Sequence, residues 1–286
     1  MKFKETSPRH VFQYATGKMT VEVKERFRRS KQVNGSTEFY MIKRFEEISN
    51  NAWPALQTIQ YDGWILRFAN GVTKRSNSVN LLYPSTISPD EKIDFCESFY
   101  RSRKIDPCFK ITAIADPPEI DDLLARKGYF VLSTISFQTI DLLGNDLKEP
   151  EGIHLENDLN PAWLDDFIRM NAFDPMRKPV YTGIMNQVLT PKCLVSIRHG
   201  QKTTGVGLGV LEGKYIGIFD IVVDPDYRNS GLGIRLVNAI LCWGKKAGAE
   251  TAYLQVLTNN NPALNLYRKM GFNEIYKYWY RMNHIM

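Results

Sequence analysis

Short apolar runs alternate with stretches of helical periodicity from residue 39 onward. Consecutive or alternating apolar positions predict strands, whereas apolar positions three or four apart predict helices. The predicted strands are 64–69, 78–83, 108–115, 129–141, 153–155, 193–198, 206–211, 214–223, 253–257 and 272–282. The predicted helices are 39–50, 89–104, 118–127, 160–172, 179–189, 234–246 and 262–270. Strands and helices that alternate in this way predict an α/β fold.

The pattern repeats once along the chain. Each half contains a strand that ends in proline, a helix, a strand, and a short helix that ends in Gly-aromatic: Pro84 and Gly128 in one half match Pro225 and Gly271 in the other. Residues 144–152 are polar and contain two glycines and a proline, which is typical of a linker. We therefore predict an N-terminal extension (1–37), a first domain (38–143), a linker (144–152) and a second domain (153–286).

Composition excludes several classes of protein. Hydrophobic residues make up 43% and charged residues 24% of the chain, as in an ordinary globular protein. No apolar run approaches about 18 residues, so we expect no transmembrane helix and no membrane partner. The charged N-terminus lacks the apolar core of a signal peptide, so we expect a cytoplasmic protein.

Neither the charge nor the cysteines point to nucleic acid or a metal. The net charge is +6, and much of the excess lies between Lys18 and Lys31. Such a cluster is more often a solvated face, and no aromatic residues interleave to stack on bases, so nucleic acid is an unlikely partner. The four cysteines and four histidines show no metal-ligand spacing, and we predict no metal site and buried, unpaired cysteines.

One loop has the composition of an anion site. The strand that ends at Val223 is followed by Asp224-Pro225 and then by Arg228-Asn229-Ser230-Gly231-Leu232-Gly233, directly before a predicted helix. The first N–H groups of a helix have no internal partner, and the helix dipole places partial positive charge there. Gly231 and Gly233 lack Cβ, so we expect a phosphate to approach the backbone closely, with Arg228 beside it. An ordinary strand-to-helix turn is the alternative.

The corresponding loop of the first half, residues 85–89, has no glycine and no arginine. Its Pro89 also lacks an N–H. We therefore predict that only the second half binds an anion, with a single cofactor per chain.

Two motifs in the second half resemble those of the GNAT superfamily, the Gcn5-related N-acetyltransferases. The first is Val222-x-x-Pro225-x-x-Arg228-x-x-Gly231-x-Gly233, and the second runs from Leu254-Gln255-Val256 through Asn260, Ala263 and Leu266-Tyr267 to Gly271-Phe272. The second motif looks like that of ribosomal-protein alanine acetyltransferases. The first half resembles a degenerate copy, as in tandem-GNAT proteins. The resemblance implies two tandem GNAT-like domains, each with a mixed, mostly antiparallel sheet flanked by helices.

The resemblance also implies acetyl-CoA as the cofactor. Its pantetheine arm would pair with Ile221, Val222 and Val223 where the sheet splays open, and its pyrophosphate would lie on the amides of residues 228–233. Asn260 matches the residue that hydrogen-bonds the arm, with helix capping before Pro262 as the alternative.

Tyr267 matches the family's general acid toward the CoA sulfur, and a core aromatic residue is the alternative. The base is less well defined, because relatives with the second motif often have Glu where this chain has Gln255. The nearest carboxylate is Asp220, whose pKa burial would raise if it faces the cleft. Side chains alternate between the two faces of a strand. Asp220 and Val222 would therefore share one face, and Phe219 would lie on the opposite face. The alternative for Asp220 is a purely structural role. Glu212, Glu250 or a water chain would then act as the base.

In this family the acceptor is bound by the first two helices and the final strands. Here the candidates are Phe173, Asp174, Tyr181 and Tyr278, and Asp174 is suited to an ammonium group. The alternating tyrosines of residues 276–280 are equally typical of a half-buried strand. The first half has three open roles: to shape this pocket, to make a homodimer contact, or to stabilise the fold.

The motifs favour an N-acetyltransferase that acts on a small-molecule amine by direct attack on the thioester. A protein N-terminal acetyltransferase and a non-catalytic acyl-CoA-binding module are the alternatives. The second motif suggests the protein N-terminal acetyltransferase. The missing Glu and the altered first half suggest the binding module.

Overall fold

The computed structural model describes the backbone of residues 21–284 and the side chains of residues 37–284. The chain divides into two compact units, residues 1–42 and 43–286. The first helix, α1, spans Val21–Ala52. The basic side chains between Lys18 and Lys31 lie outside the described part, so their interpretation stays a prediction.

Residues 43–284 follow the predicted alternation of strands and helices. The strands are β1 (Gln57–Tyr61), β2 (Trp64–Phe68), β3 (Val79–Leu81), β4 (Cys108–Ile111), β5 (Phe130–Asp141), β6 (Ile153–Glu156), β7 (Lys192–His199), β8 (Lys202–Glu212), β9 (Tyr215–Val223), β10 (Thr251–Leu257) and β11 (Asn273–Met282). The helices after α1 are α2 (Pro89–Arg101), α3 (Ile120–Arg126), α4 (Pro161–Met170), α5 (Lys178–Asn186), α6 (Leu232–Lys246) and α7 (Asn261–Lys269). The sequence pattern missed β1, whose positions are mostly exposed and polar.

Capping residues explain where several helices begin. Ser88 accepts from the N–H of Glu91 before α2, and Asn160 accepts from the N–H of Ala162 before α4. A proline at the first position of each helix removes an N–H that would have no partner there.

The strands of both halves form one mixed sheet of order β1-β2-β3-β4-β11-β5-β10-β9-β8-β7-β6. The last strand of the first half, β5, pairs with β10 of the second half. The last strand of the second half, β11, pairs with β4 of the first half. The predicted mixed α/β class is confirmed, but the halves share a sheet instead of each having its own. The domain boundaries at 143 and 153 stay a prediction.

Each half has its own apolar core. In the first half, Cys96 and Tyr100 of α2 are buried in one cluster with Trp64 and Phe109 of the sheet. In the second half, α6 covers the sheet and buries residues such as Val195 and Ile240. All four cysteines are buried, as predicted, and none of them forms a disulfide. Within residues 21–284, no helix is long and apolar enough to cross a bilayer.

Candidate active site

The sheet opens between two parallel strands of the second half. Strands β9 and β10 pair only from Thr251–Tyr215 to Leu254–Ile218. Beyond that point, Phe219, Val222 and Val223 keep their pairing with β8, while the other edge of residues 219–223 has no strand partner. Here β9 and β10 provide an unpaired strand edge of the kind that an extended chain can join.

The loop after β9 leaves a row of backbone donors free. No hydrogen bond between described residues uses the N–H groups of residues 229–234, and the first bond of α6 runs from Arg235 N to Gly231 O. Gly231 precedes α6 with φ of 82°, and no atom lies within 4 Å of the position that a Cβ would take. The loop therefore fits a phosphate, because free amides at a helix N-terminus meet open space.

Gly233 has a different reason to be glycine. A Cβ there would lie 2.7 Å from Cδ1 of Leu266 on α7. The missing side chain lets α6 and α7 pack closely, and the role of Gly233 toward a phosphate stays a prediction.

Arg228, Asn229 and Ser230 are exposed around this loop. Arg228 Nε donates to Val223 O at 3.4 Å, and Ser230 Oγ donates to Tyr227 O. The bond from Nε holds the guanidinium of Arg228 against the end of β9. Its other nitrogen atoms have no partner within the described part of the chain.

A buried carboxylate, which the sequence analysis missed, anchors the loop. Asp224 is 2% exposed and pairs with Arg169 at 2.8 Å and Lys202 at 3.1 Å. These cations hold the pKa of Asp224 below its usual range. Its Oδ1 also accepts from the N–H of Asp226, which caps the turn. The Asp-Pro dipeptide was the available signal, since aspartate before proline commonly caps a turn.

Asp220 lies in a β-bulge on β9. Val222 pairs with Val206 and Phe219 with Leu208, so two residues of β9 oppose one residue of β8. Asp220 has φ of 51°, in the left-handed region. The alternation predicted for this strand is therefore wrong at the bulge, and Asp220 and Phe219 both approach the guanidinium of Arg75.

The side chain of Asp220 is 9% exposed, and its two carboxylate oxygens differ in their hydrogen bonds. Its Oδ1 accepts from Arg75 Nη2 at 3.2 Å, and its Oδ2 is buried with no partner in the described residues. Burial raises the pKa of Asp220, and the charge of Arg75 opposes this rise. The free Oδ2 gives the group a proton-accepting atom near the opening.

Tyr267 faces the same region from α7. It is half-buried against Phe272, and its hydroxyl makes no hydrogen bond to any described residue. Burial and then the negative charge of Asp220 raise the pKa of Tyr267 to about 12. The phenol therefore keeps its proton at neutral pH.

Gln255, which stands in place of the family's Glu, and the candidate bases Glu212 and Glu250 are all engaged elsewhere. Gln255 Oε1 accepts from the hydroxyl of Tyr278 at 2.5 Å, which ties β10 to β11. Glu212 pairs with Arg44 at 3.2 Å, and Glu250 pairs with Lys214 at 2.7 Å. Both glutamates lie near the end of β9 that is remote from the opening.

The residues predicted to bind the acceptor do not all lie together. Phe173 and Tyr181 stack with ring centroids 5.9 Å apart, and the charge of Asp220 adds to the effect of burial in raising the pKa of Tyr181. The carboxylate of Asp174 instead caps the next turn by accepting from Met176 N at 2.9 Å. Tyr278 is buried with Lys110 Nζ 4.0 Å from its ring centroid.

Asn260 caps α7, with its side chain accepting from Ala263 N at 3.3 Å. This is the structural alternative stated for that residue. A role toward the cofactor arm stays a prediction.

The equivalent loop of the first half is occupied by the protein's own carboxylates. The N–H groups of Thr86 and Ile87 donate to Asp62, each at 2.8 Å in its shortest bond. Ser85 N donates to Asp116 at 3.0 Å. The N–H groups of Ile87 and Thr86, with Lys92 beside Asp62 at 3.2 Å, lower the pKa of Asp62 to about 2. The amides that an anion would need are therefore already used.

No group of three or more His, Cys, Asp or Glu side chains in the described residues is arranged to hold a metal ion.

Comparison with known proteins identifies acetyltransferases. The family model "Probable histone acetyltransferase Rv0428c C-terminal" matches residues 40–281. The "Uncharacterized N-acetyltransferase YobR" of Bacillus subtilis (strain 168) is 31% identical over 248 residues, which cover 84% of this chain and 98% of that protein.

Solved structures agree in fold. A GCN5-related N-acetyltransferase from Kribbella flavida superposes with a TM-score of 0.60 at 13% identity, covering 83% of this chain and 95% of the other. A tandem GNAT protein from the clavulanic acid biosynthesis pathway gives 0.56 at 12% identity, covering 72% and 74%. At these identities the likeness shows the fold alone.

Proposed function

The chain belongs to the Rv0428c C-terminal acetyltransferase family within the GNAT superfamily of N-acetyltransferases, and from this premise we propose that it moves the acetyl group of acetyl-CoA to a primary amine of a small molecule. The observation that carries the proposal is the position of Asp220 and Tyr267. Asp220, whose Oδ2 has no partner in the described residues, lies on β9 just past the last pair with β10, and burial and then the charge of Asp220 raise the pKa of the Tyr267 phenol on α7.

The loop and the strand edge supply a cofactor site. We assign the pyrophosphate to the free amides of residues 229–233 with Arg228 beside them, and the pantetheine arm to the unpaired edge of residues 221–223. When bound, acetyl-CoA supplies a thioester whose carbonyl carbon is open to attack by an amine.

Asp220 is the proposed base. Its Oδ2 is free to take a proton from an ammonium group, which leaves the neutral amine needed for attack. Arg75 holds Oδ1 and so fixes the orientation of the carboxylate. Burial raises the pKa of Asp220, which brings its basicity closer to that of a useful catalyst at neutral pH.

Tyr267 is the proposed acid. Its hydroxyl is committed to no protein acceptor among the described residues, so it can donate to a departing sulfur. Its raised pKa keeps the proton on the phenol oxygen until that need arises.

Incubation of the protein with acetyl-CoA and a panel of amines, with free thiol as the readout, tests the proposal. We expect amine-dependent thiol release that Asp220→Asn and Tyr267→Phe both reduce. Release with peptides alone would favour a protein N-terminus as acceptor. Tight acetyl-CoA binding without release, unchanged by Tyr267→Phe, would favour a binding module.

A further inference from the structure

The charges beside the opening do not balance. Arg75 pairs with Asp220, and Lys110 pairs with Glu46 at 2.5 Å. Arg67 joins them by donating to the backbone oxygen of Arg75 at 2.6 Å. This charge cluster, Arg67, Arg75, Lys110, Glu46 and Asp220, holds three cations and two carboxylates. Charges removed from water need partners, so the cluster favours an additional anion.

Only one cation of the cluster is available to an incoming molecule. Arg67 is 4% exposed and donates to protein oxygens, including that of Trp53. Lys110 is also buried and lies against Glu46 and the ring of Tyr278. Arg75, by contrast, has a side chain that is 30% exposed.

Arg75 is also held ready to bind. Its guanidinium carbon lies 4.4 Å from the ring centroid of Trp53, which fixes the plane of the group. It makes one side-chain hydrogen bond, to Asp220, and its other N–H groups have no partner among the described residues. A planar guanidinium with free donors suits a carboxylate, because it can make two parallel bonds to it.

We propose that the acceptor carries a carboxylate close to its amine, as an α-amino acid does, and that Arg75 binds this carboxylate while the amine lies beside the carboxylate of Asp220. The proposal rests on the function proposed above. Because Arg75 Nη2 and Asp220 Oδ1 are 3.2 Å apart, the two groups of the acceptor must be separated by few bonds.

The alternative role for Arg75 is to neutralise Asp220 alone. That role would affect every amine equally, because all of them use the same base. Recognition of a carboxylate would instead change the ratio between two acceptors that differ only in this group. The ratio therefore separates the two roles.

The experiment compares each free α-amino acid with its carboxamide, which keeps the shape and amine but lacks the negative charge. We expect wild type to prefer the amino acid in kcat/KM by about tenfold or more, the size of a charge-assisted contact. Arg75→Gln should reduce this preference to within about threefold, and Arg75→Lys should restore part of it. Arg103→Gln is the matched control, since Arg103 also stacks on an aromatic ring, 3.8 Å from Phe99, but does not contact Asp220.

Calorimetric titration of the same amino acid without acetyl-CoA provides a readout independent of turnover. Binding by wild type and Arg103→Gln but not by Arg75→Gln would support the proposal even if acetyl transfer failed. Turnover of amines with no preference for the carboxylate, or with a preference that Arg75→Gln leaves intact, would overturn it while the acetyltransferase function stood. Preference for the carboxamide would overturn it in favour of a peptide N-terminus, which has no free carboxylate beside its amine.

Discussion

Arg75, from a turn in the first half, lies 3.2 Å from the carboxylate of Asp220 on β9 of the second half. The contact gives the first half, whose own loop has its amides occupied, a direct place at the candidate active site. It also means that a single side chain influences both the basicity of the proposed base and the charge that an acceptor meets.

The pH dependence of the reaction should report this contact. Asp220 must be unprotonated to act, so kcat/KM should be lost as pH falls through its pKa, which burial raises. Arg75→Gln removes the cation that opposes this rise, so the acidic limb should move to higher pH. The profile of Arg103→Gln should match wild type. An acidic limb that does not move in Arg75→Gln would show that Asp220 is not the titrating base.

Replacement of Tyr267 by Phe should separate catalysis from folding. The hydroxyl has no protein partner among the described residues, so we expect little change in the melting temperature. Loss of a general acid should lower kcat by about 10²-fold or more, with little effect on coenzyme A binding. Tyr61→Phe is the control, since Tyr61 is a tyrosine of the first half that stacks on Phe95. Equal kcat values for wild type and Tyr267→Phe would exclude this residue as the acid.

Two glycines allow a matched test of the anion loop. Gly231 and Gly128 have φ values of 82° and 85°, and neither has an atom within 4 Å of the Cβ position. Alanine at either site should therefore cost about 1–2 kcal/mol of stability through backbone strain. Only Gly231→Ala should also weaken coenzyme A binding, measured by calorimetry. Equal affinity in the two variants would place the pyrophosphate elsewhere.

Each chain should bind a single coenzyme A. In the first half, Asp62 accepts from the amides of Thr86 and Ile87, which are the donors that a second pyrophosphate would need. Calorimetric titration should give one site per chain. A stoichiometry of two would contradict the account, because it would require those amides to exchange their carboxylate for a ligand.

Much of the local structure follows from the sequence. The proline and capping residues at Ser88 and Asn160 mark helix starts, and the strand, turn and helix around Gly231 follow directly from its motif. These features depend on neighbouring residues only, so pattern and turn chemistry are sufficient to predict them.

The features that the sequence did not predict depend on contacts between distant residues. Nothing in β5 or β11 indicates that each would lie beside the other half, since strand pairing depends on the whole sheet. The bulge at Asp220 breaks an alternation that its apolar neighbours predict. Arg75 lies in a short polar turn with no motif, and its role becomes visible only when the fold places it on Asp220.

The most direct measurement is a crystal structure of the protein with coenzyme A bound. We expect the pyrophosphate on the amides of residues 229–233, the pantetheine arm along residues 221–223, and the thiol between Asp220 and Tyr267. Coenzyme A in another position, or a thiol remote from both side chains, would contradict the assignment of acid and base.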